Sequence, residues 1–428
     1  MLNLSKLNSE FKDILEEITK IAMQLNMRAY LVGGVVRDII LNKTIFDLDI
    51  VIEGDAIKFA ETFASKFKKE IKRHHSFCTA TVNFQNKRVD FATARKEIYQ
   101  KWGMLPKVYP ATLKEDLFRR DFTINALAIS LNKSDYGKLI DIYGGLDDLK
   151  KGLIRILHKD SFLEDPTRIL RAIRFEQRFF FKIEKTTYKL LKEAIKINAL
   201  TLVHPHRLRD EIILLFKEEK PNYCIRRILS LCGFSFIDKN IKLERDDFRL
   251  ILRINNTVLF YQKYLKKHRR LNKWIIYLAV FVYKLKTAKL IKFIQRFGFR
   301  KGERIILLSI KKNFLKIRKL DKKLKPHIIY KLLNPLSFEA ILFFYAYYKK
   351  ERIRDNIKYF LKTLVNIRLN INGDDLKKIG IAPSSLYNKI LTKLLYLKMD
   401  KKIHTKEEEY LILKKILSHK KRFEKYEN

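Results

Sequence analysis

Two aspartates lie two residues apart in an otherwise apolar stretch, FDLDIVIEG at residues 46–54. The β-branched residues around them predict a strand, on which Asp47 and Asp49 point to the same face about 6.5 Å apart along the chain. Carboxylates on an apolar strand are costly, and a divalent cation is the usual compensation. Mg²⁺ is typically held by one or two carboxylates together with substrate phosphates. The pair therefore predicts a magnesium site; two acids on a solvent-facing strand edge are the alternative.

A glycine pair precedes these aspartates in LVGGVVRD, residues 31–38. The pattern predicts a strand, a turn at Gly33-Gly34 and then a helix. Glycines let the backbone approach a phosphate closely, and the N-terminus of the following helix favours anions. The same dipeptide also makes ordinary tight turns, so this segment alone leaves both interpretations open.

Another acid and base lie close together in EDPTRILRAIRF, residues 164–175. Asp165 and Arg168 are three residues apart on a predicted helix and are therefore neighbours on its surface. An acceptor beside a fork of donors can contact a base edge much as another base would. Asp165-Pro166 is also the pattern of a helix N-cap followed by proline. The residues alone do not decide between these two interpretations.

Three charged residues between these segments are further candidates. Arg120 and Asp121 lie in a helix predicted over residues 114–131 and place a cation for phosphate beside an acceptor for ribose hydroxyls. A surface ion pair is the alternative. Asp90, in RVDFATA, lies on a predicted neighbouring strand and is a candidate third carboxylate near the metal.

The order of these segments resembles that of a known family. GGVVRD followed by DLD resembles the nucleotidyltransferases of the DNA polymerase β superfamily. RRDFTINALAI (119–129), DIYGGLDDLKKGLIRIL (141–157) and EDPTRILRAIRF then follow as in the class II tRNA nucleotidyltransferases, relatives of bacterial poly(A) polymerases. The resemblance is close over residues 28–215 and loose beyond them. It implies an enzyme that adds the terminal A or the whole CCA to the 3′ end of tRNA from ATP, or from ATP and CTP, with Mg²⁺.

The resemblance also implies roles for particular residues. Asp47 and Asp49 would hold two Mg²⁺ ions, with Asp90 beside them, and Asp165 and Arg168 would select the base without a nucleic-acid template. The residues that would bind the nucleotide besides this pair are Gly33, Gly34, Arg37, Arg120, Asp121, Arg171 and Arg174.

Three other segments carry implications from the same resemblance. The long stretch between Arg95 and Glu115, punctuated by Gly and Pro, takes the place of a flexible element needed for A addition, which argues against a CC-only enzyme. Arg207 and Glu211 would brace the base-selecting helix, although an ordinary i,i+4 pair is the alternative. Residues 371–391 resemble a tail that contacts the tRNA elbow. The residues at which this tail departs from the usual glycines and proline are Ser384, Ser385 and Asn388.

The periodicity of apolar residues changes near Gly144-Gly145. Before it, predicted strands at 28–32, 46–52, 78–84, 88–92 and 139–142 alternate with helices at 10–25, 35–41, 56–68 and 114–131. After it, helical periodicity continues almost to the end. We therefore predict an α+β nucleotidyltransferase head with a mixed sheet (1–145), then an all-α neck (146–215), body (216–365) and tail (366–428).

The net charge of +44, from 91 Lys and Arg against 47 Asp and Glu, predicts a polyanionic partner. Nucleic acid is favoured over an anionic membrane surface as this partner. Codon bias in an AT-rich genome accounts for part of the excess of basic residues. Two basic runs, 263–273 and 311–325, are either a phosphate-tracking surface or solvated helix faces. These patterns favour tRNA as the partner, and they identify no protein partner.

Other patterns limit where the protein acts and what else it could be. The apolar runs 274–283 and 338–348 are too short to span a bilayer, so no membrane association is expected. The three cysteines lack zinc-like spacing and favour a reduced, cytoplasmic protein. A poly(A) polymerase of the same family and a non-catalytic RNA-binding protein remain alternatives, but the second does not explain Asp47 and Asp49.

Overall fold

The computed structural model describes residues 9–84, 87–264, 271–379 and 385–424. The chain divides into two compact units, Met1–Lys239 and Asn240–Asn428. The first combines β-sheet with helices, whereas the described residues of the second form helices and connecting turns. The predicted α+β head followed by a helical region is confirmed. The finer division into neck, body and tail stays a prediction.

The first unit is organised around one mixed sheet. Its strands follow the order β3-β4-β5-β2-β1-β8-β9, and of these neighbours only β2 and β5 run parallel. Two smaller pairs, β6 with β7 and β10 with β11, lie outside it. The described strands are β1 Arg28–Val32, β2 Asp47–Glu53, β3 Ile71–His74, β4 Thr79–Phe84, β5 Lys87–Thr93, β6 Arg95–Ile98, β7 Lys107–Pro110, β8 Ala128–Ser130, β9 Leu139–Ile140, β10 Leu153–Ile154 and β11 Lys182–Ile183.

Ten helices are described in the first unit. They are α1 Ser9–Gln24, α2 Gly34–Ile40, α3 Ala56–Lys66, α4 Leu113–Phe118, α5 Gly145–Lys151, α6 Ser161–Glu164, α7 Thr167–Phe179, α8 Lys185–Lys196, α9 Pro205–Lys217 and α10 Pro221–Leu231. Phe59 and Phe63 of α3 are buried, and their rings lie 5.6 and 5.1 Å from that of Phe91 on β5. This packing places α3 in the crossover that parallel strands such as β2 and β5 require.

The helix predicted over residues 114–131 is wrong beyond Phe118. Helix α4 ends there, and Ala128–Ser130 instead forms β8, which pairs antiparallel with β1. Every residue from Phe122 to Leu131 is buried. An apolar run of this kind fits a buried strand as well as a buried helix, so periodicity could not separate the two.

The stretch between Arg95 and Glu115 contains a β-hairpin, which sequence analysis did not predict. Strands β6 and β7 pair antiparallel from Arg95 opposite Pro110 to Ile98 opposite Lys107. At the tip, the backbone N–H of Gly103 donates to the carbonyls of Leu163 and Glu164, both at 3.2 Å. The hairpin tip therefore rests on the segment that precedes α7.

The second unit contains the two apolar helices predicted from sequence. Its described helices are α11 Arg245–Tyr264, α12 Lys273–Val282, α13 Thr287–Arg296, α14 Lys301–Lys312, α15 Phe314–Arg318, α16 Pro326–Leu333, α17 Phe338–Tyr347, α18 Glu351–Lys362, α19 Gly373–Lys378, α20 Ser385–Met399 and α21 Lys406–Glu424. Helix α12 is buried along most of its length, and so is α17. Within the described ranges no single helix is long and apolar enough to cross a membrane, and only the bent pair α16–α17 passes on length and composition.

Some segments predicted from sequence are only partly described. The basic run 263–273 includes residues 265–270, which lie outside the described residues, as does Ser384 in the tail. Of the other two tail positions, Ser385 begins α20 and Asn388 is exposed on it.

Candidate active site

The carboxylates of Asp47 and Asp49 lie on the same face of β2. Along this strand Asp47 and Asp49 are exposed and Leu48 between them is buried, as the alternation of a strand requires. The parallel register with β5 places Asp90 opposite Asp49. The structure therefore brings together the three aspartates singled out from sequence.

The aspartates differ in their partners. Asp90 accepts from the Thr81 hydroxyl at 2.6 Å and pairs with Arg88 at 2.8 Å. Arg88 also approaches Asp47 at 3.8 Å. Asp49 lines a cavity, but burial by the surrounding protein atoms raises the pKa of its carboxyl group above the usual range. The neighbouring negative charge of Asp90 raises this pKa further. A cation at Asp49 would offset both effects.

The donor set suits a hard cation. Carboxylate oxygens are the ligands that Mg²⁺ prefers, and it commonly takes one or two of them beside substrate phosphates. Within the described part of the chain, no group of three or more His, Cys, Asp or Glu could hold a metal ion by itself. The aspartates of β2 and β5 thus fit a metal that is shared with a phosphate substrate.

The turn between β1 and α2 accommodates an arginine. Gly33 has a φ of 76°, in the left-handed region that favours glycine. A Cβ at Gly33 would lie 2.5 Å from Nη1 of Arg120. The absence of a side chain therefore lets the guanidinium of Arg120 come close to the backbone at the start of α2.

Arg37 is buried behind this turn. Its guanidinium donates to the side chains of Asn125 and Asp38, and it lies 4.8 Å from the ring centroid of Phe179. Burial lowers the pKa of Arg37, while Asp38 acts in the opposite direction. Arg37 is thus a fixed cation at the edge of the cavity that contains Asp49.

Arg120 and Asp121 have separate partners. Arg120 pairs with the buried Asp116 at 2.8 Å, and Asp121 pairs with Arg171 at 2.6 Å. Burial alone would raise the pKa of Asp121, but Arg171 and the amide of Asn125 outweigh it and hold the pKa at about 2. Both oxygens of Asp121 have protein partners in this structure, Asn125 and Arg171, and its contact with a ribose hydroxyl stays a prediction.

Asp165 and Arg168 line the same cavity, and the carboxylate of Asp165 and the guanidinium of Arg168 bond to different residues. Asp165 accepts from the N–H of Thr167, the first residue of α7, at 3.1 Å, although Pro166 and not Asp165 occupies the N-cap position of that helix. Asp165 also pairs with Arg207 at 2.8 Å. Arg168 is buried and donates to the Ser161 hydroxyl at 2.7 Å and to the Arg119 carbonyl at 2.6 Å. Both interpretations of Asp165 thus remain compatible with its geometry.

Helix α9 braces the row of arginines on α7. Glu211 lies 3.2 Å from Arg171 and 3.6 Å from Arg174. Within the described residues no ion pair joins Arg207 to Glu211, because each contacts a residue at or near α7 instead. The i,i+4 alternative is therefore wrong.

Sequence analysis missed a group of side chains behind the cavity. Asp116, fully buried, pairs with Arg119 as well as Arg120, and Arg119 contacts Glu97 of the hairpin at 3.0 Å. An acid just before an Arg-Arg pair was the available signal for Asp116. The contact with Glu97 joins segments far apart in the chain, which local spacing does not reveal.

Two adjoining cavities meet at Asp49. We call the first, of about 670 Å³, the arginine cavity; its lining includes Arg37, Arg119, Arg120, Asp165, Arg168, Arg171, Arg174 and Arg207. We call the second, of about 900 Å³, the phenylalanine cavity, because Phe46 and Phe180 line it. The residues common to both are Gly34, Asp49, Arg174 and Arg178.

Comparison with known proteins identifies the family. Residues 29–155 match the model of the Poly A polymerase head domain. The chain is 33% identical over 407 residues to an A-adding tRNA nucleotidyltransferase of Geobacter sulfurreducens, covering 93% of this chain and 46% of that protein. Against its counterpart from Aquifex aeolicus it is 36% identical over 366 residues, covering 85% and 44%. The chain thus spans about half the length of these relatives.

Solved structures agree over nearly the whole chain. A CCA-adding enzyme in apo form II superposes with a TM-score of 0.75 and 32% identity, covering 98% of each chain. The Thermotoga maritima CCA-adding enzyme complexed with tRNA gives 0.70 and 31%, covering 97% of this chain and 98% of that one. The first unit thus carries the fold of the Poly A polymerase head domain, with these aspartates on its sheet beside an arginine-lined cavity. The chain belongs to the class II tRNA nucleotidyltransferase family, which shares its head domain with poly(A) polymerases.

Proposed function

We propose that the protein adds nucleotides, either the terminal A or the whole CCA, to the 3′ end of tRNA with release of pyrophosphate. The observation that carries the proposal is the position of Asp49 at the wall of the arginine cavity, where a carboxylate for a metal lies in the same lining as cations for a triphosphate. The kinship with A-adding and CCA-adding enzymes supports it. Free cysteines at positions 78, 224 and 232 suit action in the cytoplasm.

In this proposal Asp47 and Asp49 hold two Mg²⁺ ions, and Asp90 is the third carboxylate beside them. When bound, Mg²⁺ would promote ionisation of the attacking 3′ hydroxyl and neutralise charge on the departing pyrophosphate. The residues of the chain bind and orient the reactants. Held in place by Asn125 and Asp38, Arg37 supplies a fixed positive charge for the triphosphate without having to reorganise.

The remaining cations divide the work of binding and selection. Arg120, Arg171 and Arg174 contact the triphosphate, while Asp165 and Arg168 present an acceptor and donors to the base edge. Since Arg168 is already held by Ser161 and Arg119, its orientation is set before a nucleotide enters. Selection of the base then depends on hydrogen-bonding groups that are already in position before the nucleotide binds.

Three tRNAs ending at the discriminator base, at C and at CC test the function, with ATP and CTP supplied separately. A CCA-adding enzyme extends all three, whereas an A-adding enzyme extends only the tRNA ending in CC, with one A. Long A tracts on any RNA would identify a poly(A) polymerase instead. No extension of any substrate in the presence of Mg²⁺ would refute the proposed activity.

A further inference from the structure

The phenylalanine cavity adjoins the arginine cavity, and Asp49 lines both of them. In an in-line phosphoryl-type displacement, the attacking and leaving oxygens lie on opposite sides of the reacting phosphorus. If the nucleotide fills the arginine cavity, as in the proposed function, the hydroxyl must reach Asp49 from the remaining side. Among the described cavities, the phenylalanine cavity is the other one that Asp49 lines, so it is the candidate space for the hydroxyl.

Exposed aromatic rings line this cavity. The exposed fractions of Phe46, Phe180 and Tyr223 are 68, 77 and 40%. Exposure of apolar rings to water is unfavourable, so the grouping of these rings around one cavity indicates a role other than core packing. Unpaired bases of single-stranded nucleic acid stack on such rings regardless of sequence.

Phe180 is also held in an unfavourable backbone conformation. It ends α7 with a φ of 57° and a ψ of 35°, the left-handed region in which a helix usually places glycine. The N–H of Phe181 donates to the carbonyl of Glu176 at 3.1 Å, so the turn itself has the form that glycine would satisfy. A bulky residue that is both strained and exposed points to a functional contact.

Cations accompany the rings. Lys43 and Arg178 lie on the ring of Phe179, with distances of 4.1 and 5.4 Å to its centroid. Lys217 and Lys220 also line the cavity, together with Glu219. Of the other acids in the lining, Asp38 pairs with Arg37 and Glu218 pairs with Arg174, and Asp47 and Asp49 are the carboxylates assigned to the metal in the proposed function.

We propose that the phenylalanine cavity is the subsite for the 3′-terminal nucleotides of the RNA substrate. Their bases stack on Phe46 and Phe180, and their phosphates contact Lys43 and Arg178. The inference rests on the proposed function, because it assumes that a nucleotide fills the arginine cavity.

The test uses a tRNA ending in CC and a second tRNA whose 3′-terminal base is 2-aminopurine, a fluorescent base that is quenched by stacking. The full-length protein with Mg²⁺ quenches the second tRNA. In Phe180→Gly and Phe46→Ala we expect the quenching to be lost and the KM for tRNA to rise about 5- to 150-fold, which corresponds to the loss of one base–aromatic stack. The KM for ATP changes by less than about twofold, since the arginine cavity is intact.

Controls separate this role from a structural one. Phe180→Gly relieves the left-handed strain, so its Tm is unchanged or higher, whereas a purely structural Phe180 would lower Tm when removed. Phe77→Ala removes another exposed ring of the first unit, outside both cavities, and leaves quenching and both KM values unchanged.

Each result bears on one proposal. Three results would overturn the subsite. The first is that quenching and the KM for tRNA are unchanged in both variants. The others are that the KM for ATP rises instead, or that the wild type does not quench. If the wild type extends no RNA but its quenching depends on Phe46 and Phe180, the proposed function fails and the subsite stands.

Discussion

At the scale of the residue, the charge of Asp49 is the most consequential feature of the site. Asp47 on the same strand and Asp90 across the register add like charges, and Arg120 and Arg88 compensate only part of them. The protein without metal therefore carries electrostatic repulsion at the point where the proposed function places a cation. Function and stability oppose each other at this position.

Replacing Asp49 with asparagine should separate its effect on function from its effect on stability. We expect Asp49→Asn to lower the rate of nucleotide addition more than about a hundredfold, because a metal ligand is lost. The Tm of the metal-free protein should stay or rise, because like-charge repulsion is relieved. Asp13→Asn, at an exposed acid of α1, is the control for loss of one charge. A variant retaining more than about a hundredth of the activity would contradict the metal assignment.

The raised pKa of Asp49 predicts how activity depends on pH. Its protonated form, which is a poor ligand, persists to higher pH than in an ordinary aspartate, whose pKa is about 3.9. Activity at limiting Mg²⁺ should therefore fall on acidification at a higher pH than at saturating Mg²⁺, which favours the carboxylate. The measurement is kcat/KM for ATP between about pH 4 and pH 8 at both concentrations. An acid limb that does not move with Mg²⁺ would contradict this.

Asp165→Asn tests whether Asp165 selects the base. Asparagine also caps helices, so α7 should keep its start and Tm should change little. The base edge, however, would meet a donor where it met only an acceptor, and discrimination should fall by about 1–3 kcal/mol. GTP and UTP incorporation on a tRNA ending in CC would report this. Glu184→Gln, at the cap of α8, is the control. Intact preference with an unchanged Tm would leave Asp165 as a cap alone.

At the scale of the element, the β6–β7 hairpin takes the place of the segment implied in A addition. A Cβ at Gly103 would lie 2.9 Å from Cβ of Leu202, and Gly103 has a φ of 74°. Gly103→Ala should therefore displace the tip and lower kcat/KM for ATP more than for CTP, or reduce A addition alone in an A-adding enzyme. Gly302→Ala, where nothing lies within 4 Å, should leave both unchanged. Equal losses for both nucleotides would contradict a specific role in A addition.

Local patterns predicted strands where a glycine ends a short apolar run. β1 was predicted at its observed bounds, and β2 within one residue of them, because Gly33 and Gly54 follow them directly. β8 was missed because its residues are buried on both sides. For the site, spacing indicated Asp47 and Asp49, but the pairing of Asp121 with Arg171 depends on tertiary contacts between distant segments, which one sequence does not encode locally.

At the scale of the whole molecule, the excess of basic residues predicts salt-dependent binding of tRNA. Reversing the charges of the exposed Lys312, Lys319 and Lys322 should weaken binding and reduce the slope of log K against log salt by about 0.9 per lost phosphate contact. The control reverses three exposed lysines of the first unit, Lys58, Lys69 and Lys72, for the same change in net charge. If both triple variants change the affinity for tRNA and its salt dependence equally, residues 311–325 are a solvated helix face.

The parallel pairing of β2 with β5 also constrains when the protein can begin to act. A hairpin forms from neighbouring sequence, but this pairing requires α3, β3 and β4 to be traversed first. Asp49 and Asp90 are therefore apart until the crossover has closed. A newly made or refolding head therefore has no assembled carboxylate centre until β2 and β5 have paired. If the proposed function holds, the ability to act arises with that one long-range contact, whichever outer strands have joined the sheet.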